Sequence, residues 1–121
     1  MTSVPTAMRA IVVDDEKNLV IDEIPTPVPA AGEVLVRIEA AGINRADLLQ
    51  RQGLYPPPPG ITDVMGMEVS GTVVLLGPDV DGPAVGDEVC ALMAGGGYAE
   101  YAVVPAAQLL PVPAGVPLID A

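Results

Sequence analysis

Residues 40–60 read AAGINRADLLQRQGLYPPPPG, and Gly66-Met67-Glu68 follows a few residues later. Gly42 closes an apolar run, and Asn44 carries the side chain of a helix N-cap, with Asp47 at the third helical position as its capping-box partner. The spacing predicts a short helix over residues 45–52, with Gly53 where a terminating glycine belongs. Two turns of helix are marginal in isolation. Ala46, Leu49 and Leu48 are the candidates for holding it by packing. Pro56–Pro59 suit neither a helix nor a central strand, so they fix a loop and thereby the aim of Tyr55. One strand–helix–loop unit thus gathers Asn44, Arg45, Asp47, Arg51 and Tyr55. Such side chains grip a polar cofactor or orient a carbonyl-like substrate.

Working outward, the chain alternates short apolar runs with turn signals. Residues 1–7 read as a flexible leader. Residues 8–13 and 19–24 flank the polar stretch Asp14–Asn18 and read as a hairpin. Pro25, Pro27 and Pro29 imply an extended connector. In residues 34–40, Val34, Val36 and Ile38 share one face while Leu35, Arg37 and Glu39 share the other, as in a half-buried strand. Further strands are expected over residues 68–76 (notched by Gly71), from about Val85 through Leu92, and over 98–104 and 107–112. The proline-broken tail, residues 113–121, carries no helix signal. Gly95–Gly97 reads as a permissive loop, a plain hairpin connector. Glu100 stands where a dinucleotide fingerprint needs its third glycine.

Composition narrows the fold and the chemistry. The 121 residues suffice for one domain. Half are hydrophobic, yet Trp and Phe are absent, so the core must be aliphatic. With 13 Gly and 14 Pro, long helices are disfavoured and many short strands are expected. The fold class is therefore mainly β, a compact and partly open β-barrel with one or two helical turns. A net charge of −11 argues against nucleic acid and anionic membrane as partners. Two of the five basic residues, Arg45 and Arg51, lie in the opening segment. They suit either local binding of an anion or an Asp47–Arg51 ion pair at helical spacing. The absence of His excludes His-based triads and His-containing metal sites. The single Cys90 excludes an internal disulfide and reads as an inert thiol in a buried strand. With no signal peptide and no membrane-length apolar run, a cytoplasmic, reducing setting is expected.

Five segments in order, Glu33–Arg37, Ala41–Asp47, Gly66–Gly71, Val85–Val89 and Gly97–Tyr101, resemble the medium-chain dehydrogenase/reductase superfamily. The likeness covers residues 8 to about 119. More narrowly, INRADLLQRQGLYPPPPG resembles the zinc-independent, zeta-crystallin-like NADPH:quinone oxidoreductases. The resemblance implies a GroES-like catalytic domain over residues 8–121. Asn44 and Met67 stand where zinc-dependent members of the superfamily carry a Cys and a His, so no zinc is expected. It also implies hydride transfer from NADPH to a quinone or similar acceptor, or, alternatively, an enoyl reductase of the same superfamily. Asn44, Asp47 and Tyr55 become the candidate catalytic residues; Asn44, Tyr55 and Met67 become the candidates that touch the cofactor. A third reading, a stand-alone noncatalytic interaction module, needs no cofactor. The superfamily's Rossmann domain has no counterpart here, so the chain is expected to be an N-terminal piece. Its NADPH affinity should be weak, and it should self-associate, as a homodimer or otherwise, through an exposed cleft face or an edge strand.

Overall fold

The structure, a computed structural model, describes residues 4–53 and 62–121. Tyr55 and the Pro56–Pro59 run lie outside the described residues. The β1 (Ala7–Val13) and β2 (Leu19–Pro25) strands form an antiparallel hairpin in which Val13 pairs with Leu19 and Ala7 with Pro25. A second, five-stranded sheet contains β3 (Glu33–Ala41), β4 (Glu68–Leu76), β5 (Glu88–Leu92), β6 (Tyr101–Pro105) and β7 (Leu109–Pro111), in the order β6-β3-β4-β5-β7. A bridge between Ala10 and Ala99 joins the hairpin to the segment entering β6. The result is mainly β, an open sheet forming a GroES-like partial barrel.

Alternation along the strands builds the core, with one departure from the expected pattern. Val34 and Val36 of β3 meet Val69 and Val73 of β4, Val89 and Ala91 of β5, and Ala102 and Val104 of β6. Leu35 points the other way and is just as buried, because Met8 of β1 and Tyr101 of β6 cover the opposite face in a second cluster. The first half of β3 is therefore buried on both faces. Each such aliphatic side chain contributes about 1.5–3 kcal/mol on burial. The register of β3 against β4 shifts between Leu35 and Val36 and again between Ile38 and Ala40, so the strand bends as it approaches Gly42 and the site.

Several expectations need correction. The last strands are shorter than predicted: β6 starts at Tyr101, and a 3-10 turn over Ala106–Gln108 precedes β7. The tail carries a 3-10 turn, Leu118–Asp120, tied to β4 where the hydroxyl of Ser70 donates to the carbonyl of Leu118. Cys90 is half-buried and not in the core. Its neighbours Val89 and Ala91 take the core face of β5, leaving Cys90 beside Ser70, Leu110 and Ile119 along a cavity of about 330 Å³. Among the described residues no helix is long and apolar enough to cross a membrane.

Candidate active site

The α1 helix (Arg45–Arg51) begins one residue after Asn44, whose φ of −125° and ψ of 157° mark the turn from extended backbone into helix. Gly53, with φ of 79°, follows Gln52 and ends it as its sequence position predicts. The packing is not the expected one. Leu48 is 52% exposed, Ala46 and Leu49 are half-buried, and the buried residue of the helix is Asp47, 2% exposed. A carboxylate therefore anchors the helix where aliphatic side chains were predicted to. Nor does Asp47 pair with Arg51. The Arg51 Nε instead donates to the carbonyl of Lys17 at 2.8 Å, and the Lys17 Nζ donates to the carbonyl of Gln52 at 2.9 Å.

A buried carboxylate needs donors. The backbone N–H of Asn44 donates to Asp47 Oδ2 at 2.9 Å, and the hydroxyl of Tyr98 donates to the same oxygen at 2.6 Å. That hydroxyl also lies 3.2 Å from the carbonyl of Gly42. It holds one proton, and the shorter contact to the charged acceptor is the stronger bond. Asp47 Oδ1 is buried and has no hydrogen-bond partner among the described residues. Burial, the hydrogen bond and charge of Asp47, and the charge of Glu68 push the Tyr98 phenol well above its ordinary range. Tyr98 therefore stays protonated and remains a donor at physiological pH.

The loop ahead of β6 delivers Tyr98 to this point. Residues 64–66 run beside residues 96–98: the amides of Gly96, Gly97 and Tyr98 donate to the carbonyls of Val64, Gly66 and Met65 at 2.8, 3.0 and 2.9 Å. On its other side the carbonyl of Tyr98 accepts from Ile11 at 2.8 Å. Gly66 has φ of 103°, and a Cβ there would fall 2.6 Å from the Tyr98 nitrogen, so only glycine allows the approach. Gly95–Gly97 is thus a loop of close approach. Nearby, Arg9 and Glu100 clip β1 to the same segment. The Arg9 N–H, and then its guanidinium, hold the exposed Glu100 carboxyl below its usual range.

Of the residues singled out from the sequence, Asn44 and Asp47 come together directly. Met67 is half-buried just before β4, its carbonyl accepting from Met93 at 2.7 Å. Its neighbours touch the same region: Gly66 abuts Tyr98, and the Glu68 side chain lies across Gly42. Tyr98 is the residue that sequence reading missed. The available signal was chemical: a chain with no His or Trp has few donors for a buried carboxylate, and three tyrosines are among them.

The profile of the alcohol dehydrogenase GroES-like domain matches residues 30–114, which include Asn44, Asp47, Met67 and Tyr98. The chain belongs to that family. As a GroES-like domain of the medium-chain dehydrogenase/reductase superfamily it has longer relatives. It is 41% identical over 87 residues to the synaptic vesicle membrane protein VAT-1 homolog of Rattus norvegicus, an alignment covering 72% of this chain and 22% of that protein. It is 40% identical over 96 residues to an acryloyl-coenzyme A reductase of Sulfurisphaera tokodaii, covering 78% and 28%. The quinone oxidoreductase structure from Coxiella burnetii superposes with a TM-score of 0.81 at 25% identity, covering 95% of this GroES-like chain and 40% of that one. The chain thus spans about a fifth to a third of the length of the curated relatives it matches.

Proposed function

We propose that this chain is the substrate-side domain of a zinc-independent reductase that passes hydride from NADPH to a quinone or similar conjugated carbonyl acceptor. The carrying observation is Asn44, half-buried at the turn into α1 with its backbone N–H held by a buried carboxylate. Its carboxamide offers one group that donates and one that accepts, which suits a nicotinamide amide or an acceptor oxygen. When bound, NADPH would supply the hydride. This chain's residues fit its nicotinamide end, and the amides of Gly96 and Gly97 in the glycine-rich loop are already taken by the carbonyls of Val64 and Gly66. In this reading Asn44 orients the reacting groups, Tyr55 supplies a second hydrogen-bond donor, and Met67 supplies apolar surface. Asp47, with 2% of its surface exposed, acts from behind Asn44. Zinc suits this donor set poorly. Asn44 and Met67 offer a carboxamide and a thioether, Asp47 Oδ2 already accepts two hydrogen bonds, and the single thiol lies on β5.

An enoyl acceptor is the second reading, favoured by the 40% identity to the acryloyl-coenzyme A reductase. Both acceptors put negative charge on a carbonyl oxygen as hydride arrives, so the same hydrogen-bond donors serve either. The test is turnover by the complete reductase with NADPH against quinones and enoyl thioesters side by side. Quinone reduction that falls on the order of tenfold or more in Asn44→Ala supports the first reading. Reduction of enoyl thioesters alone would favour the second, and failure to oxidise NADPH with any acceptor would contradict both. The isolated chain should bind NADPH weakly; sub-micromolar affinity would overturn its assignment to the substrate side.

A further inference from the structure

We infer that Tyr98 is a positioning residue for the site, acting on Asn44 through Asp47; the inference rests on the reading of Asn44 given above. The geometry forms a chain of three links. First, the Tyr98 backbone is pinned on both sides, by its own N–H to Met65 and by the N–H of Ile11 to its carbonyl, at 2.9 and 2.8 Å. Its hydroxyl therefore has a fixed origin in the loop ahead of β6. Second, that hydroxyl meets Asp47 Oδ2 at 2.6 Å, across 51 residues of sequence. Third, the same oxygen takes the Asn44 N–H at 2.9 Å. The hydroxyl also stands 3.2 Å from the Gly42 carbonyl, but its single proton goes to the shorter contact with Asp47.

Among the described residues, Tyr98 is the side chain that donates to Asp47. α1 places no aliphatic side chain in the buried core, and Ile43 within the turn is 81% exposed. Both described bonds to the Asp47 carboxylate reach Oδ2. Removing the Tyr98 hydroxyl leaves Asp47 with the Asn44 N–H as its one described side-chain bond; the turn keeps the bonds of the Gly42 N–H to Glu68 and of the Asp47 N–H to Asn44 but loses its tie to the Tyr98 segment. Displacements of about 1 Å at a reacting centre cost up to about a hundredfold in rate.

The test is a kinetic double-mutant cycle in the complete reductase with Tyr98→Phe, Asn44→Ala and both. Tyr98→Phe should lower kcat on the order of tenfold while leaving KM for the acceptor within about threefold. In the Asn44→Ala background the same change should alter kcat by less than about twofold, because its target is gone. An equal drop in both backgrounds, or no drop in either, would overturn the inference. A second measurement stands apart from activity. In amide spectra of the chain, Tyr98→Phe should move the Asn44 resonance and leave those of Val89–Ala91 on β5 in place. An unmoved Asn44 resonance would overturn the inference even with Asn44 essential. A moved resonance with kinetically silent Asn44→Ala would retain the positioning contact and refute the functional reading of Asn44.

Discussion

The two ends of α1 are fastened by the same kind of bond in opposite surroundings. At its start, Asp47 is sealed from water and accepts from Tyr98 and from Asn44. At its end, Arg51 and Lys17 exchange bonds with backbone carbonyls across an exposed turn of the β1–β2 hairpin. Water competes for every group at the second end and for almost none at the first. A buried carboxylate that loses a donor has nothing to replace it, whereas an exposed guanidinium re-solvates. The helix is therefore held firmly where it presents Asn44 and loosely where it leads toward Gly53.

The largest effect should come from Asp47→Ala, which removes the buried acceptor and strands the Tyr98 hydroxyl. Unfolding free energy should fall by about 2–4 kcal/mol in a denaturant titration. A loss no larger than that of an ordinary surface change would erase the contrast between the ends. Alkaline pH probes the same bond without mutation. The folded state raises the Tyr98 pKa above that of the unfolded chain. Below about pH 10 both states keep the phenolic proton. Above it the unfolded state releases the proton while the folded state retains it, so stability should fall as pH rises through that range. Tyr98→Phe should flatten this part of the profile; an unchanged slope would mean the phenol is not held as described. The smallest effect should be that of Arg51→Ala, about 0.5–1 kcal/mol. A loss equal to that of Asp47→Ala would reverse the comparison.

What was legible in the sequence follows the same division between local and distant. The bounds of α1 and β4 could be read because their signals are adjacent: Asn44 and Gly53 frame the helix, and Glu68–Leu76 is a run of strand formers. The β1–β2 hairpin likewise announces itself through Asp14–Asn18, where Asp14 Oδ1 accepts the amides of Glu16 and Asn18 at 2.9 and 2.8 Å. The faces of elements were less legible. Alternation in β3 put Leu35 on the solvent side, and a second cluster with Met8 and Tyr101 buried it there. The same alternation concealed that Cys90 turns away from the core. At the site, Asn44 and Asp47 were found because capping chemistry is local. Tyr98 was not, because no periodicity reports which phenol a loop will bring to a carboxylate 51 residues away.

The bond between Tyr98 and Asp47 carries the account. Its most direct test is the double-mutant cycle of unfolding free energies for Tyr98→Phe, Asp47→Ala and the double variant. A buried, charge-assisted bond predicts a coupling of at least about 1 kcal/mol, with the second substitution costing little once the first is made. Losses that add to within about 0.5 kcal/mol would contradict it.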